Sequence, residues 1–139
     1  MRDTSFNPEL QSLLDAAQAV AQNAYAPYSG FKVGAALLLS GGAIVTGTNV
    51  ENVSYGLTIC AERAALVGAV SEHGPAIRIR AIAVANLSDA SSPPCGACRQ
   101  MLAEFAEPDA DVIFPADGGV RSMRFADLLP LAFDTKAKA

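Results

Sequence analysis

Apolar residues recur along this chain in two patterns, at helical spacing near the N terminus and in short continuous runs further on. Over residues 10–24, leucines and alanines repeat every three or four positions, which is typical of an amphipathic helix. Asn7 is a suitable cap, and Pro8 suits the first helical position. The pattern therefore predicts a first helix that starts at Pro8 and ends near Tyr25.

Two apolar runs follow, at residues 32–39 and 43–48, and only Ser40-Gly41-Gly42 separates them. This is typical of two strands joined by a tight hairpin. The first run is almost continuously apolar, so we expect both faces of that strand to be covered. Residues 77–85 predict a central strand, and residues 112–114 predict a short one.

Helical patterns lie between and after these strands. Residues 59–71 are rich in alanine, leucine and valine and predict a helix that is buried on most sides. A loop rich in Ser, Pro and Asp over residues 86–94 leads into a predicted helix at residues 96–106. Residues 127–130 close a last short helix, and residues 136–139 predict a mobile tail. In the helix at 96–106, the side chains predicted to face inward are Met101, Leu102 and Phe105, and those predicted to face outward are Arg99, Gln100 and Glu104.

Strands that alternate with helices, and that are too apolar to face water, predict an α/β fold. We expect a three-layer α-β-α sandwich around a mixed sheet of about five strands. A length of 139 residues favours a single domain over residues 1–139.

Charge and composition narrow the class of partner. The net charge is −4, and the ten Lys and Arg residues are spread along the chain, so a nucleic-acid polymer is disfavoured and a small ligand is favoured. The first five residues show no signal-peptide pattern, and no apolar run approaches the ~20 residues of a membrane span. We therefore expect a cytoplasmic protein without a membrane partner. A hydrophobic fraction of 51% hints at apolar surface buried between subunits.

All three cysteines fall within two short motifs, Cys60-Ala61-Glu62 and Pro94-Cys95-Gly96-Ala97-Cys98. Three thiolates beside a carboxylate predict a zinc site that keeps one coordination position open to water, because structural zinc normally takes four protein ligands. The chain's one histidine, His73, lies in a turn-like stretch. We therefore predict Cys60, Cys95 and Cys98 as the zinc ligands.

The residues beside Cys60 complete the predicted chemistry. Glu62 follows this ligand closely enough to take a proton from water at the metal without binding the ion. Arg63 is a candidate to offset the negative charge that three thiolates leave on Zn²⁺. Both are also compatible with an ordinary solvent-facing position on a helix.

Three other interpretations of the cysteines stay open. A disulfide framework would need an even number of cysteines and a secretory context. A thioredoxin-like redox role would use Cys95 and Cys98 but leave Cys60 and Glu62 without a function. Finally, all three could be buried structural cysteines, since free Cys packs as a small hydrophobic residue.

Together with these motifs, segments along almost the whole chain resemble the cytidine deaminase family of small zinc-dependent nucleoside deaminases. The matching segments are Ala26-Pro27-Tyr28-Ser29, Phe31-Lys32-Val33-Gly34-Ala35-Ala36, Gly47-Thr48-Asn49-Val50-Glu51-Asn52, Cys60-Ala61-Glu62-Arg63, Pro94-Cys95-Gly96-Ala97-Cys98-Arg99-Gln100 and Leu128-Leu129-Pro130-Leu131-Ala132-Phe133. The resemblance implies hydrolytic deamination of cytidine and 2′-deoxycytidine to uridine and 2′-deoxyuridine, in pyrimidine salvage, with one Zn²⁺ per subunit. Zinc-bound hydroxide would attack C4, while Glu62 moves protons to the ring N3 and to the departing ammonia.

The resemblance also implies which residues bind the substrate. Asn49 and Glu51 match a ribose-binding pair, with Val50 between them, and Phe31 matches an aromatic that packs on the base. The Ala61 backbone matches a contact to the pyrimidine. Two further positions, Tyr55 and Phe133, match residues that neighbouring subunits contribute in the family's homotetramers, which implies pockets shared between subunits.

Three alternative functions remain. A deaminase that acts on the cytosine-like ring of an antibiotic would share both zinc motifs, but would have no use for the ribose pair. A nucleotide or RNA deaminase should carry extra basic residues near the pocket, yet only Arg2 and Lys32 precede Arg63. A zinc-stabilised assembly module without catalysis is the third.

Overall fold

The computed structural model describes residues 7–134. The predicted tail at 136–139 and the first five residues lie outside that part of the chain. The element order is α1 (Pro8–Val20), a 3₁₀ turn (Ala21–Asn23), β1 (Val33–Leu39), β2 (Ile44–Thr48), a second 3₁₀ turn (Tyr55–Leu57), α2 (Ala61–His73), β3 (Ile79–Asn86), α3 (Gly96–Leu102), β4 (Ala106–Ala116), β5 (Gly119–Arg124) and α4 (Phe125–Leu128).

The strands of the described residues form one five-stranded sheet in the order β2-β1-β3-β4-β5. The β3–β4 pair is parallel, and the other three pairs are antiparallel. The sheet is therefore mixed, and β3 is its central strand, as predicted for residues 77–85. Every residue of β1 is buried, which confirms that both faces of this strand are covered.

Helices lie on both faces of the sheet. Alternate residues of β1 point to opposite sides, so Ala35 and Leu37 join one core cluster while Ala36 and Leu38 join another. The first cluster packs against α2, α3 and α4, and the second packs against α1. These two apolar layers confirm the predicted α-β-α sandwich.

Two glycines let helices approach the sheet unusually closely. A Cβ atom on Gly34 of β1 would lie 2.1 Å from the carbonyl oxygen of Ala17 in α1. On Gly47 of β2, a Cβ atom would lie 2.4 Å from the backbone nitrogen of Ala65 in α2. Since α2 begins directly after Cys60, the absence of a side chain at Gly47 helps to set the depth of the candidate zinc site.

Several element boundaries differ from the sequence predictions. The first helix ends at Val20 rather than near Tyr25, because Tyr25 is extended and bridges to Val50. The helix predicted at 96–106 ends at Leu102, because Ala106 already pairs with Ile79 in the sheet.

The orientation of some α3 side chains was also predicted wrongly. Met101 is exposed rather than inward. Arg99 is half-buried, and its guanidinium donates to the carbonyl oxygens of Pro94 (2.7 Å) and Leu128 (2.9 Å). The cause is that α4 and the chain after it pack beside α3, so the polar face of this short helix meets protein rather than water.

The strand predicted at 112–114 is longer, and β5 was not predicted at all. Residues 107–109 of β4 are two acidic residues on either side of Pro108, so they break the apolar pattern. β5 is an edge strand with arginines, a serine and a glycine, and therefore shows no apolar run. No helix in residues 7–134 is long and apolar enough to cross a membrane.

Candidate active site

The three cysteines meet at the starts of two helices. Cys60 is the N-cap of α2, Cys95 is the N-cap of α3, and Cys98 lies in the first turn of α3. Their sulfur atoms all lie within 4.8 Å of one another, and the Sγ atoms of Cys60 and Cys95 are 3.8 Å apart. Within residues 7–134, this is the one group of three or more potential ligands close enough to hold a metal ion.

The sulfur cluster fits zinc. Tetrahedral zinc with Zn–S bonds of about 2.3 Å places two sulfur ligands about 3.8 Å apart. The observed distance between Cys60 and Cys95 matches this value. His73 is at the opposite end of α2 and does not belong to the group. A three-sulfur site leaves one tetrahedral position for a non-protein ligand, as the sequence predicted.

The thiols differ in how readily they ionise. The pKa of Cys60 is lowered to about 5, first because the Cys98 thiol donates towards it, and then because of Arg63 and Cys95. The pKa of Cys98 is raised, because its proton is held by Cys60 and because burial and the charge of Glu62 disfavour its thiolate. Of these two sulfurs, Cys60 is therefore the one that carries negative charge more readily.

Arg63 supplies the positive charge beside Cys60. Its Nη2 atom lies 3.5 Å from the Cys60 sulfur and 3.5 Å from the carbonyl oxygen of Thr58. Its Nε atom is buried and has no hydrogen-bond partner among the described residues. The guanidinium thus faces the cluster rather than solvent, as expected for a group that offsets thiolate charge.

Glu62 is buried beside the cluster, with only 5% of its surface exposed. Burial raises the pKa of its carboxyl to about 7, and the negative charge of Cys60 adds to this effect. The backbone N–H of Glu62 and the Cys98 thiol oppose it. A carboxyl that titrates near neutrality can both accept and release a proton, which is the requirement for acid–base catalysis at neutral pH.

A cavity of about 200 Å³ opens in front of these groups. Cys60, Cys95, Ala61 and Glu62 line its polar side. Its apolar walls come from Phe31, Val33, Val84 and Pro93, and it is bordered by Asn49, Thr58 and Ser92. A small flat ring against Phe31 would therefore lie next to the sulfurs and to Glu62.

Among the residues predicted to bind substrate, Phe31, Asn49 and Ala61 line this cavity. Asn49 is buried, and its amide donates to the carbonyl oxygen of Phe31 (2.8 Å) and accepts from the N–H of Val33 (2.9 Å). Val50 is 47% exposed and does not line it.

The carboxylate of Glu51 lies in an adjoining cleft of about 410 Å³, together with Tyr28, Ser29, Tyr55 and Thr58. Thr58 borders both spaces, so the two are neighbours. The structure therefore brings Glu51 to the entrance of the cavity rather than to its sulfur-lined side.

Tyr55 and Phe133 lie away from the sulfurs of their own chain. Each is 75% exposed. The Tyr55 ring packs edge-on against Tyr28, with 6.0 Å between the ring centroids. The carbonyl oxygen of Phe133 accepts from the side chain of Gln100 in α3 (3.1 Å). Neither ring contributes to the cavity around Glu62 in a single chain.

Sequence reasoning missed Asn86, which is 3% exposed at the end of β3. Its amide nitrogen donates to the carbonyl oxygen of Ala90 (2.8 Å) and to the hydroxyl of Ser92 (2.9 Å). Its oxygen accepts from the N–H groups of Ser88 (2.9 Å) and Ala90 (3.2 Å). These bonds shape the loop that brings Ser92, Pro93 and Cys95 to the cavity. The sequence signal that could have identified Asn86 is its position as a polar residue directly after the predicted strand at 77–85.

Comparisons with known proteins agree with this site. A family model described as "Cytidine and deoxycytidylate deaminase zinc-binding region" matches residues 8–114. A cytidine deaminase from Halalkalibacterium halodurans is 44% identical over 126 residues, 88% of this chain and 92% of that protein. One from Mycobacterium tuberculosis is 47% identical over 119 residues, 86% of this chain and 84% of that protein.

A solved structure shows the same fold. The crystal structure of a cytidine deaminase from Burkholderia pseudomallei superposes on this chain with a TM-score of 0.80. The two sequences are 46% identical, and the match covers 88% of this chain and 98% of that one.

Proposed function

This chain belongs to the cytidine deaminase family, and we propose that its full reaction is the conversion of cytidine and 2′-deoxycytidine to uridine and 2′-deoxyuridine. Hydrolytic deamination of cytidine is the family activity, and zinc is its cofactor. The observation that carries the proposal is the group of three sulfurs beside a buried glutamate whose pKa is about 7.

We assign Cys60, Cys95 and Cys98 as the zinc ligands. When bound there, zinc supplies a Lewis acid that makes water a better nucleophile at neutral pH. Arg63 offsets part of the negative charge of the thiolates. Without that compensation, three thiolates would leave a net negative charge that opposes the ionisation of water.

Glu62 is the proton carrier in this proposal. Its carboxylate accepts the proton that water gives up and delivers it to the ring N3. It then takes the second proton from the hydroxyl added at C4 and passes it to the amino group, so that the C4 carbonyl forms as ammonia leaves. Burial raises the pKa of Glu62 above the usual carboxyl range, which supports a group that can hold a proton between the two transfers. Burial also keeps bulk water from the carboxyl group.

The cavity and the cleft beside it supply the residues that bind and orient the nucleoside. Phe31 packs on the pyrimidine, and the Ala61 backbone contacts its polar edge. Asn49 and Glu51 bind the sugar hydroxyls, and Val50 between them belongs to the same substrate-binding segment. No Lys or Arg lines the cavity formed by the described residues, and Lys32 instead donates to the carbonyl oxygen of Gln22 (3.1 Å). This supports a nucleoside rather than a nucleotide as substrate.

We also propose that a single catalytic domain assembles into a homotetramer in which Tyr55 and Phe133 reach into neighbouring pockets. Both rings are exposed in one chain, and Tyr55 packs against a second exposed ring, Tyr28. This supports the proposal, because contiguous exposed apolar surface marks interaction sites. Light scattering tests the homotetramer, because a fully active monomer would contradict the shared pocket.

A reducing compartment would keep the three cysteines as thiols, so we place the protein in the cytoplasm, in pyrimidine salvage.

The experiment that tests the function follows ultraviolet absorbance while zinc-loaded protein is incubated with cytidine. Ammonia release is measured in parallel, and cytidine monophosphate is tested in a second cuvette. Loss of the cytidine signal with stoichiometric ammonia is the expected result. Turnover of the monophosphate alone would indicate a nucleotide enzyme. No turnover of either by zinc-loaded protein would favour an antibiotic-type deaminase or a non-catalytic zinc module.

A further inference from the structure

Ser29, in the turn before β1, bonds to two of the proposed substrate-binding residues. Its hydroxyl donates to the Oε2 atom of Glu51 and accepts from the backbone N–H of Phe31 (3.0 Å). The Oε1 atom of Glu51 accepts from the backbone N–H groups of Tyr28 (2.9 Å) and Ser29 (3.1 Å). The turn therefore binds both carboxylate oxygens of Glu51, although it lies more than twenty residues earlier in the chain.

The hydrogen bonds continue from Phe31 into the cavity. The carbonyl oxygen of Phe31 accepts from the Asn49 amide, whose oxygen accepts from Val33. Glu51, Phe31 and Asn49 are thus connected, with the Ser29 hydroxyl as the link between the first two. The three are also the residues that our proposed function assigns to the sugar and to the base.

We propose that Ser29 is a positioning residue for the nucleoside, whose hydroxyl fixes the direction of the Glu51 carboxylate so that it can accept a bond from a sugar hydroxyl. This inference rests on the proposed function. A carboxylate has about four acceptor positions. Hydrogen bonds from the turn occupy three of these acceptor positions on Glu51. The fourth therefore has a fixed direction and is available to a ligand in the cleft that Ser29 and Glu51 line.

Glu51 is half-buried in this cleft and needs such a restraint. A glutamate side chain has several rotamers, and a hydrogen bond to the substrate must first overcome that freedom. These bonds also lower the pKa of Glu51, and the bond from the Ser29 hydroxyl contributes most. The carboxyl group therefore stays ionised and accepts hydrogen bonds. Ser29 lies in the cleft at the entrance, away from Glu62 and the sulfurs. Its loss should therefore weaken nucleoside binding rather than slow the chemical step.

The test compares Ser29→Ala, Ser29→Thr and wild type, all zinc-loaded, with cytidine as substrate and 2′,3′-dideoxycytidine as competitive inhibitor. Ser12→Ala, on the exposed side of α1, is the matched control. Because a hydrogen bond to a charged group is worth roughly tenfold or more in binding, we expect Ser29→Ala to raise KM for cytidine by roughly tenfold, with kcat changed little. Ser29→Thr keeps the hydroxyl and should restore the low KM.

The competitor separates positioning from general support of the fold. It lacks the 2′ and 3′ hydroxyls, so its inhibition constant should change far less than the KM for cytidine. Equal weakening of both would overturn the proposal, as would an unchanged KM in Ser29→Ala. If that variant loses zinc, Ser29→Cys repeats the test with a weaker hydrogen-bonding group. An inactive wild-type enzyme would instead contradict the proposed function itself.

Discussion

Gly47→Ala should impair catalysis although it replaces no residue that is proposed to bind substrate or metal. The added Cβ would meet three backbone groups of α2, the nearest being the nitrogen of Ala65 at 2.4 Å. An ordinary van der Waals contact begins at 3.4 Å, so the helix would have to move by about 1 Å. Backbone atoms cannot rotate away from the clash as a flexible side chain can.

The displacement would reach the active site directly. The nearest contacts of the added methyl belong to Ala61, Ala64 and Ala65, and Cys60 and Glu62 lie in the same turns of α2. A misplacement of about 1 Å costs on the order of a hundredfold in rate, because the reacting groups lose their alignment. Overpacking of this kind also lowers the free energy of unfolding by about 1–3 kcal/mol.

Two further glycines provide controls. Gly68→Ala places a methyl on the same helix with no atom within 4 Å, so stability should be unchanged or higher. Gly34→Ala creates a similar clash, at 2.1 Å, with α1, which carries no proposed ligand or catalytic residue. It should destabilise the fold while the kcat of folded protein stays close to wild type. The assay is kcat for cytidine per mole of bound zinc, together with the thermal midpoint. Gly47→Ala with wild-type kcat would refute the reasoning.

The other predictions concern single groups. Glu62→Gln should leave the protein folded and zinc-loaded while kcat falls by about two to four orders of magnitude, and undiminished deamination would contradict its proton-carrying role. Cys95→Ala should remove zinc and lower the thermal midpoint, and a normal zinc content by mass spectrometry would argue decisively against the three-sulfur site. Asn86→Ala should speed zinc loss to a chelator, with Ser71→Ala on the exposed end of α2 as control, because four hydrogen bonds that shape the Cys95 loop disappear.

The centre of the sheet and the metal cluster were predictable because their signals are local. β1 is a continuous apolar run, and β3 is an apolar run interrupted by Arg80. Cys60 and Cys95 each lie where a helical pattern starts. The edge of the sheet was not predictable in the same way. β5 has one buried residue, Ser122, so it gives neither alternation nor an apolar run. Its place depends on pairing with β4.

The parts of the site that sequence could not predict depend on contacts between distant loops. Glu51 contacts Tyr28 and Ser29, which lie more than twenty residues earlier in the chain. Nothing in the sequence pattern of either segment indicates that the two segments meet. Asn86 looked like the first residue of a polar loop, although burial makes it the centre of that loop's hydrogen bonds. In both cases a polar side chain replaces regular secondary structure in fixing the backbone, and periodicity carries no information about such bonds.

The metal cluster was predictable and the loop contacts were not, because the two ends of the pocket have different requirements. The proton transfer that we propose for Glu62 needs a dry carboxyl at a fixed distance from the metal, and a helix start held against the sheet at Gly47 provides that rigidity. The proposed binding of the sugar needs polar groups that the substrate can reach, and Glu51 is half-buried in the cleft beside the cavity. A carboxylate in such a cleft is directed by hydrogen bonds from its own neighbourhood. The turn at Tyr28 and Ser29 supplies those bonds, which is why the sugar end depends on loop contacts while the metal end depends on packing.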